Sequence, residues 1–152
     1  MRDTPTGART WLVLWKAARS VEARAHASIE ETGLGASEFA ILETLLHKGP
    51  LPVNVIGRKV LLTTGSITTA VDRLVRRGLV VREADAVDRR VRRVALTAAG
   101  RRLISAAFAR HAADLDAVVA VLSPSERATL VALLQKLGTA AARDGGDMEE
   151  IS

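Results

Sequence analysis

The chain contains no cysteine. That excludes disulfides, thiolate metal sites and cysteine-based redox sensing. Aromatic residues make up only 3% of its 152 residues, so the 48% hydrophobic content rests mainly on Ala, Leu and Val. Ala and Leu favour helix, and a core of packed helices is expected. No apolar run approaches the roughly 20 residues needed to cross a bilayer. The opening MRDTPTGARTWLVLW does not have the layout of a secretory signal. A cytoplasmic protein without a membrane partner is the expectation. His26, His47 and His111 show no paired spacing, and there is no HExxH, so no metal site is expected. A P-loop, a dinucleotide glycine motif and a nucleophile elbow are all missing. The chain therefore reads as neither an enzyme nor a cofactor binder.

What the chain does have is charge in one place. Its net charge is +5. Residues 58–102 hold twelve basic side chains: Arg58, Lys59, Arg73, Arg76, Arg77, Arg82, Arg89, Arg90, Arg92, Arg93, Arg101 and Arg102. Only Asp72, Glu83, Asp85 and Asp88 oppose them. All other residues together carry ten basic and thirteen acidic groups. One basic block on an otherwise acidic chain is a footprint for a polyanion, because each neutralised phosphate releases condensed counterions.

Periodicity places this block in a fold. Residues 8–32 read as a helix, with Trp11, Trp15, Ala18, Ala25 and Ile29 on one side and Gly33 as its stop. Residues 37–48 read as a second helix, capped by Ser37 and ended by Gly49-Pro50. Pro52 suits the first turn of a short third helix. A fourth starts at Thr63 or Thr64. Ile67, Val71, Leu74 and Val75 form its apolar face, and Thr68, Thr69, Asp72, Arg73 and Arg76 the opposite one. Gly78 ends it. Leu79–Glu83 reads as a strand, 84–90 as a polar loop, and Val94 and Leu96 as one face of a second strand. Thr97 caps a fifth helix. Ser123-Pro124-Ser125-Glu126 is a capping box that starts a sixth. A tail from Asp144 reads as disordered.

Helix, tight turn, helix and hairpin make a winged helix-turn-helix. The fold class is mainly α with a small β-hairpin wing, flanked by N- and C-terminal helices. A recognition helix enters the major groove, where each base pair shows its own donor and acceptor pattern. Its candidates are Thr64, Ser66, Thr68, Thr69, Arg73, Arg76 and Arg77. Asp88, Arg89, Arg90 and Arg92 are the wing candidates, with arginines suited to a narrow A·T minor groove.

Along Leu62–Thr68, Asp72-Arg73-Leu74, Gly78-Leu79-Val80, Asp88-Arg89-Arg90 and Leu96-Thr97 with Gly100, the chain resembles the MarR family of bacterial transcriptional regulators. The resemblance covers about residues 9–140. It implies a homodimer of six-helix winged subunits, with residues 64–76 as recognition helix and Asp88 bracing Arg90 for the minor groove. One departure is Ala70, where many members carry a basic residue. Through Gly35–Leu74 the chain resembles the branch that answers methylhydroquinone and related phenolics. The organisation expected is an N-terminal dimerisation and ligand region over 1–34, a DNA-binding domain over 35–100, dimerisation helices over 101–143 and a tail over 144–152.

The function expected is a homodimeric repressor on a pseudo-palindromic DNA operator, released by a small aromatic ligand. A constitutive or architectural DNA binder is the alternative. Trp11 and Trp15, one turn apart, are either core or dimer interface, or the wall of the ligand pocket. His111 reads as a satisfied, partly buried histidine. Glu30, Glu31, Asp114 and Asp116 read as solvated faces.

Overall fold

The computed structural model describes residues 4–60 and 62–145. Six helices and three short strands follow in order. They are α1 (Gly7–Glu30), α2 (Ala36–Lys48), β1 (Leu51–Pro52), α3 (Val53–Lys59), α4 (Thr64–Arg76), β2 (Val80–Ala84), β3 (Arg92–Leu96), α5 (Ala98–Val119) and α6 (Pro124–Gly145). The chain divides into two compact units, 1–115 and 116–152.

The first unit holds the core. Phe39, Ile41, Leu42 and Leu45 of α2 pack with Ile56 of α3, with Ile67, Val71 and Leu74 of α4, and with Ile104 of α5. Val80 and Val94 bring the sheet onto the same cluster. Burial of this kind stabilises by about 25 cal/mol per Å² of apolar surface.

Local signals set most helix ends. Thr63 caps α4, its Oγ1 accepting from Ser66 N at 3.3 Å. Gly78, at φ 69°, takes the left-handed turn that ends the helix. Thr97 accepts from Gly100 N at 3.0 Å and donates to Gly78 O at 2.7 Å, so one side chain opens α5 and pins the turn after α4. A Cβ at Gly100 would lie 1.9 Å from Leu79 O, so the chain crossing there requires glycine. In the second unit the capping box of α6 is present. Ser123 N donates to Glu126 Oε2 at 2.8 Å, and Glu126 N to Ser123 Oγ at 3.3 Å.

Several expectations need correction. The α2 helix begins at Ala36 with Gly35 as its cap, not Ser37. Gly35 has no side chain to cap with, and Glu38 Oε2 instead accepts from Gly35 N at 3.4 Å. The sheet has three antiparallel strands, in the order β1-β3-β2. Leu51 and Pro52 pair with Val94 and Arg93. Pro52 thus precedes α3 as an edge residue, where its missing N–H costs no ladder bond. The expected tail is helical through Gly145; residues 146–152 lie outside the described residues.

Candidate nucleic-acid interface

The α4 helix is strongly two-faced. Ile67, Ala70, Val71 and Leu74 are buried, while Ser66, Thr68, Thr69, Asp72, Arg73, Arg76 and Arg77 are exposed. Ala70 belongs to the inner face, so a basic side chain there would point into the core rather than at a groove. The Thr69 hydroxyl donates to Gly65 O at 3.0 Å, which leaves its oxygen as an acceptor outward. Thr64 opens the helix; its side chain lies outside the described residues.

The arginines of α4 are not equivalent. Arg73 Nε lies 3.1 Å from Glu38 Oε1, and Arg77 Nη1 lies 2.8 Å from Glu38 Oε2. The Glu38 side chain is only 8% exposed, against 46% and 41% for the two arginines. Two guanidinium groups thus clamp one buried carboxylate of α2 and hold α4 against it. Arg76 has no carboxylate partner among the described residues. Asp72 is also engaged, taking Arg82 of β2 at 2.6 Å.

The wing loop is built by two aspartates. Asp85 is buried, and its Oδ1 accepts from Val87 N at 2.8 Å and Asp88 N at 2.9 Å. The backbone N–H of Asp88, then that of Val87, hold this carboxyl below its usual value, with a smaller contribution from the paired Arg93. Asp88 accepts from Arg90 N at 3.0 Å. Its brace on Arg90 therefore acts through the main chain. Arg89, Arg90 and Arg92 are exposed and have no carboxylate partner among the described residues. A cleft of about 510 Å³ between α3, the start of α4 and the wing base is flanked by Arg58 and Arg92, which extends the basic surface.

Two residues that matter here, Glu38 and Asp85, were not singled out from sequence. Asp85 carried a local signal: a short acidic side chain opening a polar turn bonds the backbone two residues on. Glu38 carried none, because its partners lie 35 and 39 residues away.

A second cleft, of about 300 Å³, lies between α1, α2 and α5. Phe39, Ile29, Val60 and Leu62 supply apolar wall, and Ser37, Glu43, His26 and His111 the polar groups. His111 packs edge-on against Phe39 at 5.0 Å between centroids. Trp11 and Trp15 do not line it. They are 64% and 42% exposed on α1, so neither is core in the single chain. Asp114 is not a solvated group: it accepts the Ser28 hydroxyl at 2.6 Å. Glu31 is exposed, as expected, and pairs with Arg110 at the surface.

Comparison with known proteins agrees with this geometry. A family model described as MarR family matches residues 32–91. The HTH-type transcriptional regulator MhqR of Bacillus subtilis (strain 168) is 38% identical over 135 residues, covering 89% of this chain and 93% of its own. A crystal structure of a probable transcriptional regulator from Pseudomonas aeruginosa superposes with a TM-score of 0.67 at 34% identity, over 80% of this chain and 93% of that one. CouR from Rhodococcus jostii RHA1, bound to p-coumaroyl-CoA, gives 0.72 at 26% identity, over 82% and 88%.

Proposed function

The chain belongs to the MarR family and is a winged helix-turn-helix transcriptional regulator; we propose that it is a cytoplasmic homodimeric repressor, released from a pseudo-palindromic operator by a small aromatic ligand. The observation that carries the DNA reading is the pairing of an exposed hydroxyl-bearing α4 face with a wing whose Arg89, Arg90 and Arg92 are left to the solvent. Ser66, Thr68, Thr69 and Arg76 read the major groove. Thr64 serves beside them at the helix start, and Arg73 and Arg77 hold the helix in place through their Glu38 clamp. The wing arginines take the flanking minor groove.

Dimerisation is supported by uncovered apolar surface. Leu130, Leu133, Leu134 and Leu137 are exposed along α6, and Trp11, Leu12 and Trp15 along α1. Monomers rarely leave such stripes open. A two-fold dimer sets its recognition helices about 34–36 Å apart, one turn of DNA.

For the ligand, the cleft of α1, α2 and α5 supports a pocket better than the tryptophans do. It joins an aromatic wall to a few polar groups, the usual composition of a small-molecule site. It also touches the first turn of α2, where Glu38 grips the recognition helix. A ligand there has a route to the DNA face, provided it binds the two dimer conformations unequally.

Selection of binding sites from a random DNA library, followed by affinity measurement across salt, tests the core of this reading. An enriched inverted repeat with half-sites about ten base pairs apart is expected, with a log–log salt slope of roughly −5 to −9 for the dimer. No enrichment and a slope near zero would remove it.

A further inference from the structure

We propose that Ser28 and Asp114 fix the proton of His111 on Nδ1, so that the α1–α2–α5 cleft selects aromatic hydroxyl compounds over their ethers. The selectivity rests on the reading of that cleft given above.

Ser28 and His111 are two of the few buried polar side chains in the chain. Ser28 Oγ lies 2.6 Å from Asp114 Oδ2 and donates to it. A hydroxyl has one proton, and a carboxylate at that distance takes it in a charge-assisted bond. His111 Nδ1 lies 3.4 Å from the same Oγ. With its proton spent on Asp114, Oγ meets the ring only as an acceptor. Neutral His111 must then carry its hydrogen on Nδ1, and Nε2 is left as a lone pair.

Nε2 has no hydrogen-bond partner among the described residues. Apart from Arg93 Nε, which sits against Asp85, every fully buried side-chain nitrogen or oxygen among them has one. Nε2 is therefore not sealed off, and the ring lines the cleft. Glu43, on the same wall, adds carboxylate oxygens, which also accept. A hydroxyl on an aromatic ligand donates to such acceptors. An ether of the same shape sets acceptor against acceptor, and sites built for a hydroxyl reject analogues without one. Ser28 and Asp114 are positioning residues, since they act through His111.

Long-range proton–nitrogen spectra of the full chain, labelled with nitrogen-15 at histidine, report the tautomer directly and need no ligand. His111 is expected with its proton on Nδ1 in the wild type. In Ser28→Ala, a small change at a tight site, and in Asp114→Asn it should move toward Nε2. Calorimetry with hydroquinone and 1,4-dimethoxybenzene then reads selectivity. A preference of roughly tenfold or more for hydroquinone is expected in the wild type, narrowing severalfold in Ser28→Ala. A wild-type ring protonated on Nε2 would overturn the proposal. So would equal affinities with the proton on Nδ1. If the Nδ1 tautomer is in place and neither compound binds, the cleft is not an aromatic-ligand site, and the selectivity falls with that reading rather than with the hydrogen-bond chain.

Discussion

Helix α4 and the wing loop put their charged side chains to different uses. At α4, Arg73 and Arg77 pair with Glu38 of α2 and Asp72 takes Arg82 of β2, while Arg76 has no carboxylate partner among the described residues. In the wing loop the carboxylates of Asp85 and Asp88 bond backbone N–H groups, Asp85 also pairing with Arg93 of β3, and Arg89, Arg90 and Arg92 stay uncommitted. A helix already has its backbone hydrogen bonds, so its side chains are available to dock it. A seven-residue loop has few, and its acidic side chains must supply them. The same surplus of arginine thus serves as mortar in one region and stands exposed to solvent in the other.

The sharpest test of this contrast is Arg90→Ala. It should weaken operator binding by about 1–3 kcal/mol, relax the preference for A·T flanks and leave thermal stability unchanged. Competition binding on operators with altered flanks measures it, and undiminished affinity on every sequence would break the assignment.

Arg77→Ala should behave the other way. It strips one clamp from buried Glu38 and should cost stability by about 1 kcal/mol, discounted for the arginine's exposure. That is a fall of roughly 2–4 °C in Tm for a chain of this size. The salt slope of DNA binding should stay within one unit of wild type, and a slope reduced as in a phosphate contact would place Arg77 with the wing arginines.

Asp85→Ala should act on the wing alone. Amide exchange at Val87 and Asp88 should quicken, with a few-fold loss in DNA affinity and little change in Tm. Exchange as slow as in wild type would mean that the loop holds itself without this side chain.

The smallest effect is one of pH. Asp85 has a folded value below its unfolded one, so its contribution is complete above about pH 4 and fades as pH falls through the lowered value. Protection of Val87 and Asp88 should therefore persist to pH 4 and decline below it. A decline centred near neutrality would point to another group.

Features that depend on neighbours within a turn or two were legible before any fold was known. The 3.6-residue rhythm of Ile67, Val71 and Leu74 marked the inner face of α4, and all three are buried. Thr63, Thr97 and the Ser123–Glu126 box marked helix starts because a cap acts over three residues. The winged fold and its basic block followed from these signals and from the motif resemblance. Arg73 and Arg77 looked like free charge because Glu38 is far away in sequence and near only after α2 and α4 pack. Asp114 looked solvated because Ser28 lies 86 residues earlier. Trp11 and Trp15 could be read as core, dimer interface or pocket wall, because helical spacing identifies an apolar face without saying what covers it; their exposure removes only the first. Short-range patterns are written along one chain segment, whereas pairings and coverage depend on how helices cross, and that geometry is a property of the whole packed unit.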